Sequence, residues 1–140
     1  MGKRNVWLPL LALVLLLTGC KVSGNPLPEG MEEEAVLEQG REIVTLVNQE
    51  AWQEIYDRLR PASQEGASVE AFQTAVLEKL EKAGAYEKET EAMATGQKLK
   101  DTGEEYATAV FYCKHEKKHM MYRVAFSTDM ELMGLEVQTK

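Results

Sequence analysis

The segment CKHEKKH carries three side chains that can bind a metal ion. Cys113 and His115 are two residues apart, and His119 follows four residues later. Thiolate and imidazole are ligands of zinc and copper, so the three could form a metal site at the tip of a hairpin. The spacing does not require one. The simpler interpretation is a buried strand cysteine beside two solvated turn histidines, and on it we predict no metal and no other cofactor.

A second cysteine, Cys20, follows an apolar run and is a candidate for lipid attachment. Lys3 and Arg4 precede the run, which is shorter than the roughly 20 apolar residues of a membrane span. The residues LTGC at 17–20 resemble the lipobox of bacterial lipoproteins. That resemblance implies that residues 1–19 are a signal peptide and that Cys20 receives a diacylglyceryl group. The alternative is an ordinary cleaved signal with an incidental cysteine.

Lipidation would place the protein on the outer, extracytoplasmic face of the cell membrane. Each buried methylene contributes about 0.8 kcal/mol, so two or more acyl chains, such as palmitate, hold a protein durably. The ten residues that follow Cys20, KVSGNPLPEG, contain two glycines and two prolines. We therefore predict a lipidated cysteine and flexible linker over residues 20–30.

The remaining residues, 31–140, suit a single domain. Loss of the signal leaves 14 basic against 23 acidic residues, a formal charge of −9. Proteins recruit nucleic acid through Lys and Arg, so nucleic-acid binding is not expected. If Cys20 carries lipid, Cys113 has no partner for a disulfide.

The first half of the domain has the period of helices. Val36, Ile43 and Val47 share a stripe with Gly40, which predicts one amphipathic helix. Its acidic start, EEE at 32–34, suits the positive end of the helix dipole better than a calcium site, because no ligand pattern or loop glycine accompanies it.

Two more helices are predicted before Gly84. Asn48 could end the first helix and cap the second, which stops at Pro61. A loop, PASQEGA, follows at 61–67. Ser68 offers a capping oxygen for the third helix, and Gly84 is the stop signal.

Beyond Gly84 the period approaches that of strands. Tyr86–Leu99 is a weak strand candidate, and EYATAVFYCKH at 105–115 alternates well. Ala107, Ala109, Phe111 and Cys113 are predicted to lie on one face of this second strand.

Two further strands complete the prediction. The segment HMMYRVAFS places Met120, Tyr122, Val124 and Phe126 together, and the last strand does the same for Met133, Leu135 and Val137. A two-residue loop at Lys117 and Lys118 would set Phe111 opposite Val124 and Cys113 opposite Tyr122. The predicted fold class is α+β, with three N-terminal helices packed on a curved four-strand antiparallel sheet.

The order of three stretches, VNQEAWQEIYDRL, EKAGAY and YRVAFSTDMELMGLEV, resembles a family of uncharacterised bacterial extracytoplasmic domains. Those domains are similar to the nuclear-transport-factor-two and ketosteroid-isomerase fold, in which a curved sheet wraps helices into a cone. The resemblance covers roughly residues 32–138. It implies a cone whose wide end can hold a small apolar molecule.

Five aromatic residues could line that cone: Trp52, Tyr56, Phe111, Tyr122 and Phe126. Aromatic stripes at such spacings are more often core. Nucleophile elbows, phosphate loops and paired-cysteine metal motifs are absent from the sequence, and we assign no catalytic residue.

Two functional classes follow. We expect a non-catalytic lipoprotein domain that binds a small apolar molecule or another envelope protein. The alternative is a small isomerase-like or hydrolase-like enzyme that uses the cone cavity.

Overall fold

A computed structural model describes residues 25–140 of the chain. The predicted signal peptide and Cys20 lie outside these residues. The described part is α+β, with helices followed by a four-strand antiparallel sheet. Its elements are α1 (Glu33–Asn48), α2 (Trp52–Arg58), α3 (Pro61–Gln64), α4 (Val69–Ala83), β1 (Tyr86–Lys98), β2 (Glu105–His115), β3 (His119–Ser127) and β4 (Leu132–Thr139).

Residues 25–140 contain four helices, one more than predicted. The extra helix, α3, is a single turn within the predicted loop, and its first residue is Pro61, whose fixed φ suits that position. Ser68 caps α4 as predicted, because its Oγ accepts from the Ala71 N–H at 3.1 Å. In this part of the chain no helix is long and apolar enough to cross a membrane.

Asn48 ends α1 as predicted but does not cap α2, whose N-cap is Ala51. The Asn48 amide donates instead to the Val44 carbonyl, at 2.9 Å, and to the Tyr122 hydroxyl, at 3.1 Å. The cap prediction was wrong because Asn48 finds these partners within α1 and on the sheet.

The strands pair in the order β1-β2-β3-β4. The predicted β2–β3 register was wrong by two residues, since Phe111 pairs with Tyr122 and Cys113 with Met120. The His115 N–H donates to the Lys118 carbonyl at 2.9 Å, so the turn centres on residues 116 and 117, one position earlier than predicted. A two-residue shift preserves the alternation, and the inward faces still coincide.

A bulge in β4 changes one predicted inward residue. Ala125 pairs with Gly134, but Phe126 pairs with Leu132, so Met133 has no partner on β3. Leu132 is therefore buried in the place predicted for Met133, which is only half-buried. A bulge of this kind inserts one residue and reverses the alternation on one side of it.

The helices cover one face of the sheet, and α1 contacts β1, β2 and β3. Close approach depends on Gly40, because a β-carbon there would lie 2.7 Å from Cε2 of the fully buried Phe111. The helix stripe and the inward strand residues form one hydrophobic core.

The segment before α1 also contacts the sheet. The Gly96 N–H donates to the Asn25 carbonyl at 3.1 Å, and the Asn25 N–H donates to Thr95 Oγ1 at 3.0 Å. Leu27 packs on the core and Pro28 is buried. The second half of the predicted linker is therefore hydrogen-bonded to β1.

Candidate binding site

A groove lies on the surface between α1 and the first half of β1. It encloses about 380 Å³ and is lined by Arg41, Val44, Thr45, Asn48, Gln49, Tyr86 and Glu89. This volume falls near the lower end of the range of about 300–1,000 Å³ that is common for small-molecule sites. We call it the α1–β1 groove.

Helix α1 and strand β1 bring these side chains together by different means. Positions 41, 44, 45 and 48 follow the helical pattern i, i+3, i+4, i+7 and so lie along one helix face. Tyr86 and Glu89 are three apart and would point to opposite faces of a regular strand. The β1–β2 register is interrupted between Tyr86 and Lys88, and this irregularity turns both side chains toward the groove.

An ion pair closes one side of the groove. Arg41 binds Glu89 through two hydrogen bonds, Nε to Oε1 at 2.9 Å and Nη2 to Oε2 at 3.0 Å. The Glu89 hydrogen bond raises the pKa of the Arg41 guanidinium, which also lies 5.8 Å from the centre of the Phe111 ring. This paired geometry joins α1 to β1 across the groove wall.

Beneath the groove lies a buried hydrogen-bond chain, which we call the His115 network: Gly84, His115, Tyr122 and Asn48. His115 Nδ1 lies 2.9 Å from the Gly84 carbonyl oxygen, and Nε2 lies 2.8 Å from the Tyr122 hydroxyl. A carbonyl only accepts, so Nδ1 carries a proton and donates to Gly84, and with that single proton on the ring Nε2 accepts from Tyr122. The Tyr122 oxygen in turn accepts from Asn48, which connects the network to the groove.

The end of α4 and the β2–β3 turn hold His115 in place. Gly84 has a φ of +83°, a left-handed conformation that favours glycine, and it turns the chain after α4. The backbone N–H groups of Glu116 and Lys117 donate to the carbonyls of Ala85 and Ala83, at 2.8 and 2.7 Å. These bonds fasten the hairpin tip to α4 and bury the imidazole between them.

Tyr86 connects the groove with Cys113. Its side chain is 40% exposed, and its ring meets the His115 ring edge to face at 5.5 Å between centroids. Partial burial, and then the nearby Cys113 side chain, raise the pKa of Tyr86 to about 12. Burial likewise raises the pKa of Cys113 to about 11, so near neutral pH this thiol is protonated and a poor nucleophile.

The structure separates the three candidate metal ligands. Cys113 and His115 are buried, whereas His119 is exposed. Within residues 25–140 no group of three or more His, Cys, Asp or Glu side chains is arranged to hold a metal ion.

The expectation that His115 is a solvated turn residue was wrong, because the imidazole is 1% exposed. A signal for its burial was present in the sequence. The inward positions 107, 109, 111 and 113 are followed at the same period of two by 115. The charged neighbours of His115 concealed the continuation.

The five aromatic residues predicted for an apolar pocket lie in or against the core. Trp52, Phe111, Tyr122 and Phe126 are buried, and Tyr56 is half-buried with its hydroxyl 3.3 Å from the Gln64 carbonyl. Trp52 packs edge to face on Phe72. Phe126 also lines a separate cavity of about 330 Å³ near Arg60. Asn48 and Tyr86, which line the groove, were not among the predicted site residues.

The fold and site define a class of small α+β domain in which helices cover one face of a four-strand antiparallel sheet, with a groove at the edge of the helical layer. The chain belongs to the family described as protein of unknown function, DUF3887, which matches residues 40–135. This match agrees with the resemblance to a family of uncharacterised domains.

A solved structure has the same fold. The NMR structure of a protein from Ruminococcus gnavus ATCC 29149 is similar to this chain with a TM-score of 0.67 and 25% sequence identity, over 79% of this chain and 94% of that one. None of the curated proteins compared with the chain matches it.

Proposed function

We propose that the protein is a lipoprotein anchored through Cys20 to the outer face of the cell membrane, where its domain binds a small molecule in the α1–β1 groove without chemical change. The LTGC sequence at 17–20 and the apolar run before it support the anchor. The shape and lining of the groove support binding.

The observation that carries the binding proposal is the exposure of Tyr86 at the groove. Tyr86 is 40% exposed, so its ring offers a stacking surface, and the polar residues Thr45, Asn48 and Gln49 line the same groove. A few polar groups beside an apolar surface are typical of small-molecule sites. The ligand class is therefore a small molecule with a flat apolar part and hydrogen-bonding groups.

The groups that could perform chemistry near the groove are already engaged. Glu89 is held by both hydrogen bonds from Arg41, which disfavours its use as a general base. His115 is buried and bonded at both ring nitrogens. These contacts favour binding over the isomerase-like or hydrolase-like alternative.

We further propose that the domain is a cone of the nuclear-transport-factor-two type. Support comes from the antiparallel meander with helices on one face, and from the irregularities in β1 and β4 that increase sheet curvature. On this proposal the groove lies at the side of the cone, and the core aromatics fill its interior.

A fluorescent probe tests the groove. We expect 8-anilinonaphthalene-1-sulfonate, an anion with a flat apolar naphthalene ring system, to bind the native protein. Tyr86→Ala should weaken its binding at least about tenfold, which corresponds to a lost stacking contact of about 1.4 kcal/mol. Tyr112→Ala is the control, because its ring lies on the other face of the sheet, beside Lys140. An equal loss of probe affinity in both variants, or no loss in Tyr86→Ala, would contradict binding in the groove. If the ligand is instead an envelope protein, the domain should cross-link to that protein in the wild type and not in Tyr86→Ala.

Metabolic labelling tests the anchor. A labelled fatty acid should mark the wild type and Cys113→Ala but not Cys20→Ala, because only the residue-20 sulfur is the proposed attachment point. Labelling of Cys20→Ala to the wild-type level would end the lipoprotein proposal.

A further inference from the structure

The first residues that the structure describes, from Asn25 onward, are fastened to one place on the sheet. Three hydrogen bonds join Asn25 to β1: its N–H donates to Thr95 Oγ1 at 3.0 Å, its carbonyl accepts from the Gly96 N–H at 3.1 Å, and its side-chain amide donates to the Gly96 carbonyl at 3.3 Å. Leu27 and Pro28 then pack inward. We call residues 25–28 the strap.

Gly96 makes this contact possible. It is a buried glycine in a strand, and a β-carbon at this position would overlap the carbonyl oxygen of Pro26. A glycine inside a strand usually weakens it and commonly marks a close backbone approach. The close approach here is the strap itself, so strand and strap fit each other.

The strap leaves a short tether. Four residues lie between Cys20 and Asn25, and the five extended residue steps from Cys20 to Asn25 reach at most about 18 Å. When Cys20 carries lipid, the β1 edge at Gly96 therefore lies within that distance of the membrane surface. A flexible linker that extended to residue 30 would allow the domain to lie farther away.

The groove lies toward the other end of the same strand. Tyr86 precedes Gly96 by ten residues, which in a strand span roughly 33 Å, about twice the reach of the tether. Tyr86 pairs with His115, so the β2–β3 turn lies at that end, while the β1–β2 turn at residues 99–104 lies at the strap end. The formal charge of −9 after signal removal also repels the domain as a whole from anionic headgroups.

We infer that the strap orients the domain on the membrane, with the β1–β2 turn facing the lipid surface and the α1–β1 groove opening away from it. This inference rests on the proposed anchor at Cys20. It assigns the groove to a ligand that arrives from the aqueous, extracytoplasmic side and not from within the bilayer.

Fluorophores at the two ends measure the orientation. Cysteines introduced as Asp101→Cys, in the β1–β2 turn, and Lys117→Cys, in the β2–β3 turn, are labelled in the lipidated full chain, where Cys113 is buried. The protein is placed in vesicles of phosphatidylglycerol and phosphatidylethanolamine that contain a headgroup-attached quencher. We expect the label at 101 to be quenched roughly twofold or more over the label at 117, because the two ends differ by about 33 Å. Equal quenching, or stronger quenching at 117, would overturn the inference.

A matched pair of glycine variants tests the strap. Gly96→Ala should displace Pro26, speed hydrogen exchange at the residue-96 amide and reduce the quenching difference, while fatty-acid labelling stays at the wild-type level. Gly134→Ala is the control, since a β-carbon there meets nothing within 4 Å. Faster exchange with an unchanged quenching difference would show that the strap does not orient the domain. Absence of fatty-acid label in the wild type would instead refute the anchor, and the exchange data would still report on the strap.

Discussion

Replacing Tyr122 by Phe removes one oxygen atom from the centre of the His115 network. The ring of this fully buried side chain is retained, so the change leaves no cavity larger than the missing oxygen atom. The change deletes two hydrogen bonds, one donated to His115 Nε2 at 2.8 Å and one accepted from Asn48 at 3.1 Å.

The cost of the change is set by the imidazole. His115 is 1% exposed, so Nε2 would be a buried acceptor without a donor, which costs about 1–3 kcal/mol. The Asn48 amide retains its bond to the Val44 carbonyl and borders the groove, so its contribution is small. We expect Tyr122→Phe to lower the free energy of unfolding by about 1–3 kcal/mol.

Urea unfolding followed by circular dichroism measures this change. An unchanged slope of the unfolding free energy against urea concentration would show that both proteins expose the same surface on unfolding. Tyr112→Phe is the matched control on the other face of β2. A double variant with His115→Leu should lose less than the sum of the single changes, because the two side chains share one hydrogen bond. Nitrogen NMR should find the proton on Nδ1 in the wild type, as its contact with Gly84 requires.

A loss in Tyr122→Phe no greater than in Tyr112→Phe would refute the reasoning. So would strict additivity in the double variant. The first result would mean that the Tyr122 hydroxyl adds no stability beyond packing, and the second that the Tyr122 and His115 side chains are not coupled.

The other predictions concern the helix contact and the buried thiol. In Gly40→Ala the new methyl group meets the buried Phe111 ring, which should cost about 1–3 kcal/mol, offset by roughly 1 kcal/mol gained in helix propensity. Thermal melts, with Gly134→Ala as the control, measure the net loss of stability. A Gly40→Ala protein more stable than the wild type would contradict this packing. Burial raises the pKa of Cys113 from 9.0 to about 11, so the folded state holds the thiol proton more tightly than the unfolded state does. This difference contributes at most about 3 kcal/mol to the free energy of unfolding. The contribution is complete below pH 9 and is lost as the pH rises toward 11. Cys113→Ala should lose less stability than the wild type between pH 9 and 10, and equal losses would argue against a buried thiol.

Local sequence patterns determined most of the secondary structure. The period of α1, the capping hydroxyl of Ser68, the stop at Gly84 and the alternation of β2 and β3 each predicted an element that the structure contains. These features depend on interactions between residues that are close together in the sequence, so the local pattern is enough to predict them. The lipobox at Cys20 is likewise a local pattern, and it remains a prediction.

The site was decided by contacts between residues far apart in the chain. His115 is buried because the end of α4 and Tyr122 supply both of its partners, and the same α4 contacts select a β2–β3 turn one residue earlier than the charged sequence suggested. Tyr86 reaches the groove through an irregularity in β1, and Asn48 bonds to the sheet instead of capping α2. A polar side chain takes the partner that satisfies it when buried, and that partner becomes available only when helix and sheet pack together.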